Sequence, residues 1–375
     1  MESAIHIQVL AAVFAIAVLM GAVANKTSFC TMGAVSDWVN MGDLGRMRAW
    51  LLAVALALGG VTVLEATGTI ALGSETFPPY RTGNIAWLRY VLGGLLFGVG
   101  MTLGSGCGNK TLVRVGGGNL KSLVVLAVAA IAAYGMLWTP LFERAFLPWI
   151  GPGTVNLAGY GIQAQDLGAL ATKVSGAENA AGSRIAVGAV IALAVLAFVF
   201  ASREFRQSFD NILGGAVIGL AVVAGWWITA GPMGRSWKEW AEMATEVPSR
   251  VQTQSYTFIS PMGDIVRWIM EPTHLSFVNF GIVALLGVIA GSFLYSIFTK
   301  NFRFEWFRSG ADAVRHVVGG MLMGVGGVLA MGCTVGQAIT GVSTLALGSI
   351  VTFVAIVAGA AATMKYEYRR MMREE

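Results

Sequence analysis

Residues 89–107 read RYVLGGLLFGVGMTLGSGC, and residues 315–333 read RHVVGGMLMGVGGVLAMGC. The second stretch repeats the first at one offset of 226 residues (315 − 89), with no gap. One Arg, five Gly and one Cys fall in register: Arg89/Arg315, Gly93/Gly319, Gly94/Gly320, Gly98/Gly324, Gly100/Gly326, Gly106/Gly332 and Cys107/Cys333. Chance matching of common glycines does not produce that set ungapped. A repeat this distant implies two copies of one structural unit.

Working outward, each copy lies in a long apolar run. Hydrophobic residues make up 56% of the 375 and charged residues 12%, about half the charge share of a soluble domain. A membrane span needs about 20 apolar residues to cross about 30 Å of hydrocarbon. Nine segments qualify: 4–24, 48–71, 87–104, 119–139, 184–201, 210–230, 275–298, 312–331 and 345–364. The expected fold is therefore all-α, a polytopic membrane helix bundle. The first run lacks a basic flank and a cleavage site, so it reads as a retained span rather than a signal peptide. The 49 glycines suit close helix packing in lipid. Gly93, Gly94, Gly98, Gly100 and their partners read as packing faces rather than ligand contacts. Arg89 and Arg315, near span entrances, read as snorkelling side chains.

The repeat copies are the third and eighth spans, an odd number of crossings apart, so they run in opposite directions. That is an inverted-topology repeat, typical of transporters. It divides the chain into a first repeat over 1–140, a periplasmic loop and linker span over 141–209, and a second repeat over 210–375. The segment SFCTMG at 28–33 has a gapped, cysteine-free counterpart in TFISPMG at 257–263.

The net charge of +5 does not point to nucleic acid, because its Lys and Arg sit beside apolar runs. The tail KYEYRRMMREE is placed in the cytoplasm by its basic residues. Alternation then puts Arg46, Arg48, Lys110, Arg114, Arg203, Arg206, Lys300, Arg303 and Arg308 inside too, with the N-terminus periplasmic. The localisation expected is a bacterial inner membrane. Two longer polar stretches, Phe142 to Ser183 and Gly231 to Thr273, fall outside. The second carries Trp237, Trp240, Met243 and Val247 at spacings of a short amphipathic surface helix. Glu65, late in the second span, is an intramembrane acid and a proton-coupling candidate.

The three cysteines are an odd number, which argues against a disulfide framework. They lack metal-ligand spacing, so no metal or other cofactor is expected. No Walker, HExxH or GxSxG motif is present, so neither ATP hydrolysis nor another enzymatic activity is expected. A lone membrane cysteine is usually a small buried hydrophobe. Here all three sit at breaks: NKTSFCTMG at 25–33, GSGCGNKT at 104–111 and MGCTVGQ at 331–337. Flanking Gly lets the backbone turn. After each, a short stretch (32–40, 111–116 and 334–342) reads as a re-entrant half-helix, its N-terminus presented to an anion. Thiols suit a soft, sulfur-bearing ligand. Thr31, Ser105, Asn109, Thr334 and Gln337 are candidates to hold its oxygens. Lys110 is a candidate to attract its charge. With Cys30, Cys107 and Cys333 these form the expected substrate site.

These motifs resemble the YeeE/YedE family of membrane proteins with a sulfur-transport domain. The resemblance rests on SFCTMGAVSD at 28–37, GSGCGNKTLVRVGGGN at 104–119, VNFGIVALLGVIAGSF at 278–293 and MGCTVGQAITG at 331–341. It implies a pseudo-symmetric bundle of nine spans with shorter helices. It implies uptake of thiosulfate, or a related small sulfur-containing anion, without ATP. Its essential cysteines match Cys30, Cys107 and Cys333 and engage substrate through thiol hydrogen bonds. A TusA-like cytoplasmic sulfur carrier is the implied partner, besides the lipid bilayer. Asn109-Lys110-Thr111 depart from the thiosulfate branch, and FCTMGAVSD looks more like the YedE side, where selenium-compound transport has been proposed. The alternatives are therefore a transporter of a selenium or another sulfur species, or a subunit relaying sulfane sulfur covalently.

Overall fold

The computed structural model describes residues 4–177, 179–244 and 247–374. Glu178, Thr245 and Glu246, which fall in the two polar stretches, lie outside the described residues, as do the ends of the expected repeats at 1–3 and 375. The long helices are α1 (Ala4–Lys26), α2 (Thr31–Met41), α3 (Gly45–Ala66), α4 (Trp87–Leu103), α5 (Gly108–Gly116) and α6 (Leu120–Trp138). Short α7 (Leu141–Ala145), α8 (Leu147–Ile150) and α9 (Leu167–Ser175) lead to α10 (Ala180–Ala201), α11 (Arg203–Gln207), α12 (Phe209–Ala230) and α13 (Pro232–Met243). The chain ends with α14 (Ile259–Met270), α15 (Phe280–Phe298), α16 (Gly310–Leu329), a π-helical turn (Thr334–Gly341) and α17 (Leu347–Glu374).

Among the described residues, nine helical stretches are long and apolar enough to cross a membrane. Six are single helices. The other three, Ala4–Met41, Trp87–Gly116 and Gly310–Thr344, are each broken in two. The 17 residues of α4 rise only about 25 Å, short of the hydrocarbon core, and α5 extends the span beyond the break. The expected boundaries hold to a few residues with three exceptions. The second span ends at Ala66 rather than 71. The seventh span begins at Phe280 rather than 275, because Leu275–Phe277 is a 3-10 turn and Asn279 caps the helix through the Ile282 N–H. The ninth runs on through the basic tail, which contains no helix breaker.

At the centre α4 and α16 cross on glycine. A methyl group added at Gly93 would stand 2.4 Å from the Ala330 amide nitrogen, and one at Gly326 would stand 2.6 Å from that of Phe97. Gly100 and Gly319 meet in the same reciprocal way. Gly94 and Gly98 of α4 receive α17, while Gly320 and Gly324 of α16 receive α6. The glycines are packing faces, as their spacing predicts. Around this centre α1 packs against α15, and α12 against α3. Arg89 does not snorkel: it donates to the Leu329 and Val328 carbonyls at 2.7 and 3.1 Å, capping the C-terminus of α16. Arg315 instead pairs with Glu367 on α17.

The two polar stretches are structured. In the first, Val155–Asn156 pairs antiparallel with Asn84–Ile85. In the second, α13 is amphipathic as expected over Trp237, Trp240 and Met243 but ends there, so Val247 falls outside it. Its Trp237 is buried and donates to His6 Nδ1 at 3.0 Å, so this end of its apolar face packs on the start of α1. Met243 and Val247 remain exposed. Thr253–Gln254 pairs in parallel with Thr76–Phe77. Glu65 is not a free acid. Arg81 grips both its oxygens, at 2.5 and 2.9 Å, and also donates to the Thr344 and Leu72 carbonyls.

Candidate functional site

The three broken spans stop and restart by one local rule. Before each cysteine, the helix ends on a residue in the left-handed region: Ser28 (φ 50°), Ser105 (φ 57°) and Met331 (φ 58°). The next N–H closes a six-to-one bond: Phe29 to Ala24 at 3.2 Å, Gly106 to Met101 at 2.9 Å, Gly332 to Gly327 at 2.8 Å. This is a Schellman ending. The left-handed residue is Ser or Met rather than the flanking Gly, at a cost of roughly 1–2 kcal/mol each. The cysteine that follows is extended and is the N-cap residue of the next piece: Cys30 of α2, Cys107 of α5 and Cys333 of the π-helical turn. The pieces after the breaks thus begin at Thr31, Gly108 and Thr334, the first one residue and the second three residues earlier than the sequence predicts.

The thiols sit where an N-cap hydroxyl usually sits. Cys30 Sγ accepts from the Gly33 N–H and Cys333 Sγ from the Gly336 N–H, each at 3.4 Å. Cys107 lies among the three pieces. Its sulfur accepts from the Thr31 hydroxyl at 3.9 Å. A methyl group at neighbouring Gly108 would stand 3.8 Å from Cys333 Cβ. All three cysteines are free and buried.

The surrounding electrostatics favour an anion. The N-termini of α2 and α5 bring partial positive charge to the Cys30 and Cys107 sulfurs. Half-buried Lys110 is within electrostatic reach of both thiols and of Arg46 and Arg114. Two buried polar atoms lack a hydrogen-bond partner here: Asn109 Oδ1 on α5 and Thr257 Oγ1 against Gly336. Buried polar groups are nearly always paired, and these stand near the cysteine-bearing turns without a protein partner.

Two expected site residues have other engagements. Gln337 donates to the Ala330 carbonyl and accepts from Ser349, both at 2.6 Å. The Ser105 carbonyl accepts from Arg114 at 2.6 Å. Ser105 also lines a separate polar cavity of about 390 Å³ with Asn119, Lys121, Arg308, Asp312 and His316. Three neighbours of the thiols have no sequence signal of their own. Tyr80 donates to the Gly336 carbonyl at 2.6 Å, Thr257 packs on Gly336, and Arg46 lines a narrow cleft beside Cys30. Among the described residues, no cluster of three His, Cys, Asp or Glu side chains is arranged to hold a metal ion.

The chain is 23% identical over 340 residues to the thiosulfate transporter TsuA of Escherichia coli K12, covering 85% of this chain and 83% of that one. It is 25% identical over 339 residues to the thiosulfate transporter TsuA of Spirochaeta thermophila, covering 88% and 91%. Residues 26–362 match the family model described as Sulphur transport. That match takes in all three cysteines and every broken span from its break onward, and the chain belongs to the sulphur transport (YeeE/YedE) family.

Proposed function

We propose that this membrane protein carries thiosulfate, or a related small sulfur-containing anion, along a central path lined by Cys30, Cys107 and Cys333. The observation that carries the reading is that each of three broken spans restarts with a cysteine at the N-cap position, that Thr31, next to Cys30, donates to Cys107 Sγ, and that Gly108, next to Cys107, faces Cys333 Cβ. A thiol hydrogen bonds weakly to a sulfur-bearing anion, and a series of weak sites lets substrate bind and leave. In this reading Lys110 offsets the anion's charge, while Thr31, Asn109 and Thr334 hold its oxygens. Gln337 braces the π-helical turn. Ser105 opens toward the polar cavity on the basic-loop side. The curated relatives, both thiosulfate transporters, support the substrate class.

The same reading takes the α4–α5 and α16–π-turn spans as inverted copies within repeats over 1–140 and 210–375. The reciprocal glycine crossing supports it, as does the exchange of partners by which α17 meets α4 and α6 meets α16. The basic loops place the N-terminus outside and the C-terminus inside an inner membrane. The protein acts as a transporter rather than an enzyme, needs no cofactor, and hands its product to a TusA-like carrier.

One observation favours a second reading. Thr31, the residue after Cys30, donates to Cys107 Sγ at 3.9 Å, which makes these two cysteines neighbours. In a covalent relay a cysteine thiolate attacks the sulfane sulfur of thiosulfate, the S–S bond breaks, sulfite leaves with the electron pair, and a persulfide remains. The test is uptake by cells lacking their own importers, comparing Cys107→Ser with Cys107→Ala, alongside intact mass of the protein. Partial uptake by the Ser variant without an added sulfur supports hydrogen-bonded transport. Loss in both variants, with a gain of one sulfur on the parent chain, supports the relay.

A further inference from the structure

We propose that Arg46 closes the route between Cys30 and the face of the protein that carries the α2–α3 loop, and selects for anions there. This rests on the reading of Cys30 as part of the path. Arg46 stands at the start of α3 and binds the Asp37 carboxylate with Nε and Nη2 together. Asp37 belongs to α2 and is buried, while the Arg46 side chain is 36% exposed. The guanidinium therefore bridges the buried interior and the outside.

Its third nitrogen makes no hydrogen bond to Asp37. Nη1 lies over Gly33, the residue whose N–H donates to Cys30 Sγ: a methyl group there would stand 2.3 Å from Nη1 and 3.0 Å from Cζ. Arg46 and Cys30 line one cleft with Thr27, Asp210 and Asn211, closed in this structure to anything as large as a water molecule. Across that cleft Lys26 and Asp210 form a second, looser pair at 3.9 Å, both well exposed. The thiol itself is only 4% exposed. An anion leaving Cys30 through this cleft meets Nη1 and exchanges for Asp37 as the partner of Arg46. A cation meets the same guanidinium as a barrier. A planar fork with a rigid set of donors is suited to such an exchange between a carboxylate and an oxyanion.

The experiment keeps Cys30 as the sole cysteine (Cys107→Ser and Cys333→Ser) in the full chain in detergent. Cys30 is labelled with the anionic sulfonatoethyl and the cationic trimethylammonioethyl methanethiosulfonates, and the ratio of the two rates is read. Arg46→Ala lowers the anion-to-cation ratio about tenfold, and Arg46→Lys retains it. Gly33→Ala, which alters no charge but displaces the guanidinium, lowers it as well and serves if Arg46→Ala does not fold. An unchanged ratio in a folded Arg46→Ala or Gly33→Ala variant overturns the proposal. Labelling needs no thiosulfate, so this result is separable from uptake: carriage of thiosulfate with an unmoved ratio overturns the role of Arg46 alone.

Discussion

The Thr31 hydroxyl donates to the Cys107 sulfur at 3.9 Å, tying the first turn of α2 to the residue at the N-cap position of α5. It joins two broken spans at one point. Thr31 stands next to Cys30 in sequence, so the same turn presents one thiol and orients another. Replacing Thr31 by Ser keeps the donor, and replacing it by Val keeps the shape without it. A hydrogen bond of this kind contributes on the order of 1 kcal/mol. Uptake of sulfane-labelled thiosulfate should hold in Thr31→Ser and fall about fivefold in Thr31→Val. Equal uptake in both would remove this contact from the account.

Glu65 and Arg81 form a buried bidentate pair with side-chain exposures of 16% and 2%. Removing one partner of such a pair costs on the order of 3 kcal/mol, because the other charge is left buried and unpaired. Glu65→Gln should therefore lower the thermal midpoint in detergent. It should leave the pH dependence of uptake per folded molecule unchanged. A shifted pH profile with an unchanged midpoint would restore Glu65 as a proton-coupling residue.

The α4–α16 crossing gives a packing prediction with an internal control. Gly93→Ala and Gly326→Ala place a methyl group against backbone atoms at 2.4 and 2.6 Å, and each should cost about 1–3 kcal/mol by forcing the helices apart. Gly310, at the start of α16, has nothing within 4 Å of an added methyl, so Gly310→Ala should be neutral. Thermal unfolding of the three variants side by side checks this.

The left-handed residues offer another test. Ser105→Gly removes the conformational cost at φ 57° and should be tolerated. Ser105→Val, whose branched side chain is disfavoured there, should destabilise by about 1–2 kcal/mol. Uptake should fall with Val, since the break that aims Cys107 is distorted.

Much of the architecture is legible in the sequence, because membrane spans announce themselves by length and apolarity alone. The breaks at Cys30, Cys107 and Cys333 are legible too, since small and polar residues interrupt those runs. What turns the chain is less so. Glycine signals a left-handed position, whereas Ser28, Ser105 and Met331 carry no such mark and adopt it because the Schellman bonds and the following cap hold them there. Long-range partnerships are hidden for a different reason. Nothing local links Arg81 to Glu65, Arg89 to the end of α16, or Trp237 to His6; helix packing brings them together. Arg46 reads from sequence as one more basic loop residue, and only the neighbouring Gly33 and Cys30 give it a particular place. Gln337 reads as a ligand residue by its position after Cys333, yet its amide is engaged by Ala330 and Ser349.

The central claim is passage of a sulfur-bearing anion along the three thiols. The most direct measurement is uptake of sulfane-labelled thiosulfate into liposomes holding the purified full chain or its Cys107→Ala variant, at matched folded content. The account predicts saturable uptake by the parent chain and loss of it in the variant. Equal uptake by the two, or none by a well-folded parent chain, would contradict it.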